Sequence, residues 1–128
     1  MSSITGTVIG DSIEPMVPYV LGEEGRNVTL SCSFSSTYTG TLYLYWYRHY
    51  PGLALQYIIH KTNQGSFGYV APFAIGKFEI EVTTNSIQLY ISNVKTEDSA
   101  SYVCALQAAQ CDTEQLRPDI NLTLSSCT

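Results

Sequence analysis

The sequence predicts an all-β domain folded as a two-sheet sandwich. Three observations carry this: short runs that alternate apolar and polar residues, turn-forming residues between those runs, and two cysteines placed to tie the runs together. The 128 residues, 45% of them apolar, suffice for one core. Charged residues are only 13% of the chain while ten Tyr lift the aromatic share to 12%, a balance that favours strands over long solvated helices.

The alternating runs follow one another along the chain. Val28, Leu30 and Cys32 alternate with Thr29 and Ser31; Leu44, Trp46 and Arg48 share one parity; Phe78, Ile80 and Val82 alternate with Glu79 and Glu81; Ile87, Leu89 and Ile91 repeat the pattern. Side chains two apart share a face, so each run reads as a strand with one face in the core. Ile120, Leu122 and Leu124 supply a last strand. Breaks at 22–25, 35–41, 51–52, 61–66 and 83–85 draw on Gly, Pro, Asn and Ser, which supply turn backbone angles. Only 96–100 reads as a helical turn. The stock is roughly seven to nine strands, that of a sandwich.

Cys32 and Cys104 lie 72 residues apart, each preceded by strand alternation, and a disulfide between them would join the two sheets. Closing so long a loop stabilises by about 4 kcal/mol on the chain-entropy model. Trp46, the only Trp, has the core-facing parity expected of an indole packed on that bridge, and Leu89 shares the core. Tyr102 precedes Cys104 by two residues, the position where a ring fills the core edge and its hydroxyl returns to upstream backbone. Asp98 is placed to pair with Lys77, a structural contact of modest value if exposed.

Residues 46–52 (Trp-Tyr-Arg-His-Tyr-Pro-Gly), Gly76-Lys77-Phe78 and 97–106 resemble the variable domains of T-cell receptor α and δ chains. Asp11-Ser12-Ile13-Glu14-Pro15 and residues 44–48 resemble those of bony fishes in particular, including the novel immune-type receptors. The resemblance implies an immunoglobulin V-type two-sheet Greek-key sandwich in the extracellular part of a plasma-membrane receptor. It implies pairing with a second variable domain and recognition of protein or peptide antigen, with peptide on a major histocompatibility molecule as the default. Two departures stand out. Residues 111–120 contain no Gly, where rearranged chains carry Phe-Gly-X-Gly-Thr and its bulge. His49 replaces a Gln that commonly bonds reciprocally to the paired domain.

The resemblance places target contacts in three loops: 35–41 with Thr37, Tyr38 and Thr39; 61–66 with Lys61, Asn63 and Gln64; and 105–116 with Gln107, Gln110 and Asp112. Such residues are adaptable contact chemistry. Tyr38 is the strongest single candidate: an aromatic in a polar loop either anchors a target or folds back on Trp46. Tyr45, Tyr47 and His49 have the parity opposite to the core set and, with Leu53, Leu55 and Tyr57, suggest a face that packs on another variable domain. The plainer reading is a tyrosine-rich face covered by its own loops.

Four Cys and two glycosylation sequons, at Asn27 and Asn121, fit a secretory route. Residues 1–10 read as a leader remnant, 11–126 as the V-type domain, and 127–128 as the start of a stalk. Cys111 reads as a free thiol or as the partner of another chain's Cys, and Cys127 as a junction residue. A net charge of −5 with dispersed basic residues argues against nucleic acid. No run in the sequence is apolar enough for a membrane span, so any anchor belongs to other regions. His49 and His60 have no neighbours at metal-ligand spacing, and no nucleophile is set beside a base, so neither cofactor, metal nor catalysis is expected. Two rivals share the fold: a germline-encoded innate receptor or co-receptor domain acting alone or as a homodimer, and a cell-adhesion module.

Overall fold

The alternating runs are strands, and the turn residues between them let neighbours pair antiparallel. The computed structural model describes residues 2–9, 12–65 and 67–109. In chain order the strands are β1 (Ser2–Ile9), β2 (Ser12–Pro15), β3 (Tyr19–Val20), β4 (Val28–Ser35), β5 (Leu42–His49), β6 (Gln56–Thr62), β7 (Gly68–Val70), β8 (Phe78–Val82), β9 (Ser86–Ile91) and β10 (Ser101–Ala108). Short 3-10 turns occupy Pro72–Ala74 and Thr96–Asp98. One sheet has the order β3-β1-β10-β5-β6-β7 and the other β2-β4-β9-β8.

The core lies between the sheets. Leu30 and Cys32 from β4, Leu44 and Trp46 from β5, Ile87 and Leu89 from β9, and Tyr102, Cys104 and Leu106 from β10 are all buried. Each large aliphatic side chain among them contributes about 1.5–3 kcal/mol when fully removed from water. Cys32 and Cys104 are bonded, their Cα atoms 6.7 Å apart. Trp46 stands directly opposite Cys104 in the β5–β10 ladder, which sets its indole beside the bridge as the parity predicted.

The end of the sandwich below the strand turns is pinned by polar contacts. Tyr102 Oη donates to the Asp98 carbonyl at 2.6 Å. The Asp98 carboxylate accepts from Lys77 Nζ at 2.8 Å and from the Lys95 amide at 2.8 Å, and faces Arg48 Nη1 at 3.8 Å. The Lys77 pair is therefore present, with its Asp98 end buried at 6% exposed and its Lys77 end partly open to solvent. Arg48, 9% exposed, donates through Nε and Nη2 to Gln56 Oε1 and sits over the rings of Tyr50, Phe73 and Phe78. A cation at a core-facing position needs such surroundings to offset its lost hydration.

Ser2–Ile9, inside the stretch read above as a leader, form a strand paired in parallel with β10 from Ser3↔Ser101 to Ile9↔Gln107. The segment is rich in β-branched Ile, Thr and Val, and β10 offers it a row of backbone donors and acceptors on the side away from β5. The last strand expected at Ile120, Leu122 and Leu124 lies outside the described residues.

Candidate binding surfaces

The loops that follow β4 and β6 meet the end of β10 at one end of the sandwich and are laced by hydrogen bonds. Asn63 Oδ1 accepts from the Leu42 amide at 2.8 Å, and the Asn63 amide donates to the Leu42 carbonyl at 3.1 Å. Gln64 accepts from Thr41 Oγ1 and donates to the Gly40 carbonyl, each at 3.4 Å. The Ala109 amide donates to the Thr41 carbonyl at 2.9 Å, so the chain leaving β10 is tied to the first loop. Asn63 and Gln64 thus fix loop shape as well as being exposed.

Tyr38 folds back. It is half-buried and packed on the core cluster, with its amide held by Ser36 Oγ at 3.0 Å. Its ring lies against Gly40, where an added Cβ would meet the phenol end of the ring and force it to shift. Tyr38 thus packs on the core cluster while keeping part of its surface exposed. Thr37 and Thr39 on either side are exposed.

Two other expected loop residues are in strands. Lys61 belongs to β6, opposite Leu44 and Gly68. Gln107 belongs to β10 and is 4% exposed, its Oε1 accepting from Tyr45 Oη at 3.1 Å. The β5–β10 ladder runs on to Ala108↔Leu42, so backbone pairing continues through the residues assigned to the start of the third loop. In this arrangement the Gln107 side chain is buried against Tyr45 rather than presented at the loop end. Gln110, Asp112, Cys111, Asn121 and Cys127 lie outside the described residues.

The second surface is the outer face of β5 and β6. Leu44, Trp46 and Arg48 point inward, leaving Tyr43, Tyr45 and Tyr47 on the other side. Tyr45 stacks on Tyr47 at 5.9 Å and meets His60 at 5.0 Å; Tyr47 meets Tyr57 edge-on at 6.0 Å; Tyr57 stacks on Tyr69 at 6.0 Å. Tyr57 Oη is 2.7 Å from both the Tyr69 carbonyl and His60 Nδ1. A phenol has one proton, and the carbonyl can only accept, so His60 Nδ1 carries the proton in the other bond.

Burial pushes the Tyr57 phenol up to about 12, raises Tyr45 and Tyr47, and lowers His60. These rings are therefore uncharged at neutral pH. Tyr45 is buried, Tyr47, His49 and Tyr57 are half-buried, and Leu53 and Leu55 beside them are 63% and 52% exposed. Tyr43, His60, Phe67 and Tyr69 complete the aromatic cluster beyond the residues the sequence points to. Tyr43 shares the parity of Tyr45 and was findable. His60 and Tyr57, three residues apart, share this face only because the register shifts after Trp46, where β6 carries the extra residue Ile58.

Among the described residues no three His, Cys, Asp or Glu side chains group as metal ligands, and no helix is long and apolar enough to cross a membrane. Residues 16–125 match the family model described as the immunoglobulin V-set domain. Over 104 residues, 80% of this chain and 88% of the relative, the sequence is 35% identical to "T cell receptor alpha variable 9-2" of Homo sapiens.

Proposed function

Because the chain belongs to the immunoglobulin V-set family, we propose that it is the variable domain of a cell-surface immune receptor, binding antigen at its loop end and pairing with a second variable domain. Its role is binding rather than catalysis, and its ligand class is protein or peptide antigen, with peptide on a major histocompatibility molecule as the default. The similarity to a T cell receptor alpha variable region supports this reading. The observation that carries the pairing is the neutral tyrosine face of β5 and β6 continuing into exposed Leu53 and Leu55. Each of those leucines, if fully buried by a second domain, would contribute about 1.5–3 kcal/mol.

Sedimentation of the wild type, Tyr47→Arg and Leu55→Arg, each alone and mixed with candidate variable domains, tests the pairing. The expected result is a complex that either substitution abolishes, because an unpaired guanidinium would be carried into an apolar interface. If the wild type stays monomeric at high micromolar concentration in every mixture, pairing through this face is refuted.

A second reading is supported by the absence of Gly from residues 111–120: a germline-encoded innate receptor domain acting alone or as a homodimer. Sequencing the transcript from many single lymphocytes separates the two. Diversity confined to residues 105–116 supports a rearranging receptor, and one invariant sequence supports the germline reading.

A further inference from the structure

We propose that Asn27 carries an N-linked glycan whose first sugars rest in the groove between the starts of β4 and β8 and the end of β9, with Tyr90 as a stacking platform. The proposal rests on the extracellular placement above and on nothing said of pairing or antigen.

Asn27 and Thr29, the two working positions of the sequon, are both exposed, while Val28 between them turns inward toward the core. The turn below is held firmly: Gly25 N donates to the Val94 carbonyl at 2.8 Å and Val94 N to the Arg26 carbonyl at 2.9 Å. Asn93, in the left-handed region with φ of 51°, directs its amide to Asn27 Oδ1 at 3.1 Å. Asparagine tolerates that conformation where most residues do not. The bond orients the Asn27 amide by its oxygen and leaves Nδ2, the atom that is glycosylated, outside it.

Tyr90 is the cross-strand neighbour of Thr29 on one side and of Glu79 on the other, which places it diagonally from Asn27 on the same outer face. Its hydroxyl is held by the Glu81 carboxylate, so the ring is not free to swing away. A groove of about 270 Å³ lies there, lined by Asn27, Gly76, Lys77, Glu79, Tyr90 and Ser92. A pyranose offers a C–H face that packs on an aromatic ring, and hydroxyls that meet the charged groups alongside. In the transfer itself, Asn27 Nδ2 forms a bond to the anomeric carbon of a polyprenyl-pyrophosphate-linked oligosaccharide. It loses one proton as the lipid pyrophosphate leaves, with no change in oxidation state. The groove lies on the β2-β4-β9-β8 sheet, so the sugar does not cover the tyrosine face of the other sheet.

The full chain secreted from mammalian cells is treated with peptide-N-glycosidase in heavy-oxygen water and mapped by mass. The expected result is labelled aspartate at position 27 in the wild type and in Asn121→Gln, and no label there in Thr29→Ala. Full recovery of unlabelled Asn27 in the wild type overturns the proposal, whatever sedimentation says of pairing. For the platform, removal of the sugar is expected to lower the melting temperature of the wild type, and Tyr90→Ser to abolish that difference. An equal drop in Tyr90→Ser would overturn the docking on Tyr90.

Discussion

Replacing Asp98 with alanine removes a carboxylate that serves three groups, and the three losses are unequal. Lys77 is 26% exposed in its side chain, so its ammonium rehydrates and the lost pair costs at most about 1 kcal/mol. The Lys95 amide loses the acceptor that caps the 3-10 turn, again about 1 kcal/mol by analogy with helix caps. Arg48 is the larger part. It is too buried to reach bulk water, and removing a buried counter-charge costs about 3–5 kcal/mol in comparable sites. The 3.8 Å separation and the retained bonds to Gln56 place it toward or below the lower end of that range. A total of about 3–4 kcal/mol is expected, a large share of the roughly 5–15 kcal/mol of an ordinary domain. In urea, with a slope of about 1–3 kcal/mol per molar, the unfolding midpoint falls by roughly 1–4 M. Asp98→Asn keeps an acceptor for the Lys95 amide and should lose less. A loss below about 1 kcal/mol in Asp98→Ala with an unchanged slope would show that Gln56 and the three rings satisfy Arg48 by themselves, and the electrostatic account would be wrong.

Two further outcomes follow from the same geometry. Burial pushes the Tyr102 phenol from 10.0 up to about 12, so the stability tied to its neutral form is intact below pH 10 and is lost as pH rises to about 12. Tyr102→Phe should cost about 1 kcal/mol at pH 7 through the lost bond to the Asp98 carbonyl; its unfolding free energy should also fall less steeply between pH 10 and 12, and parallel pH profiles would refute this. Deleting residues 1–10 should speed amide exchange along β10, since β1 pairs with its edge; unchanged protection would mean that another strand covers that edge.

Alternation, turn chemistry and the cysteine spacing were legible because they are local or pairwise properties. Period-two patterning fixes which side of β4, β5, β8 and β9 meets the core, whatever surrounds them. The Cys32–Cys104 bridge, Trp46 opposite it and the return of the Tyr102 hydroxyl to Asp98 follow from that pattern once the two sheets face each other. The tyrosine face was legible for the same reason, through the opposite parity of Tyr45 and Tyr47.

What required the tertiary structure depends on neighbours brought in from distant sequence. Only the β5–β10 ladder running to Ala108 buries Gln107, and only the close approach of Gly40 lets Tyr38 lie back on the core. Only the bulge after Trp46 brings His60 and Tyr57 to the same face. Arg48 shows the division within one residue. Its parity in the sequence says that it points inward, but that the position tolerates a charge was decided by Asp98, Gln56 and three rings arriving from β6, from the segment after β5 and from both 3-10 turns and β8. A side chain's direction is set by its own strand, whereas its solvation is set by whatever the fold packs around it.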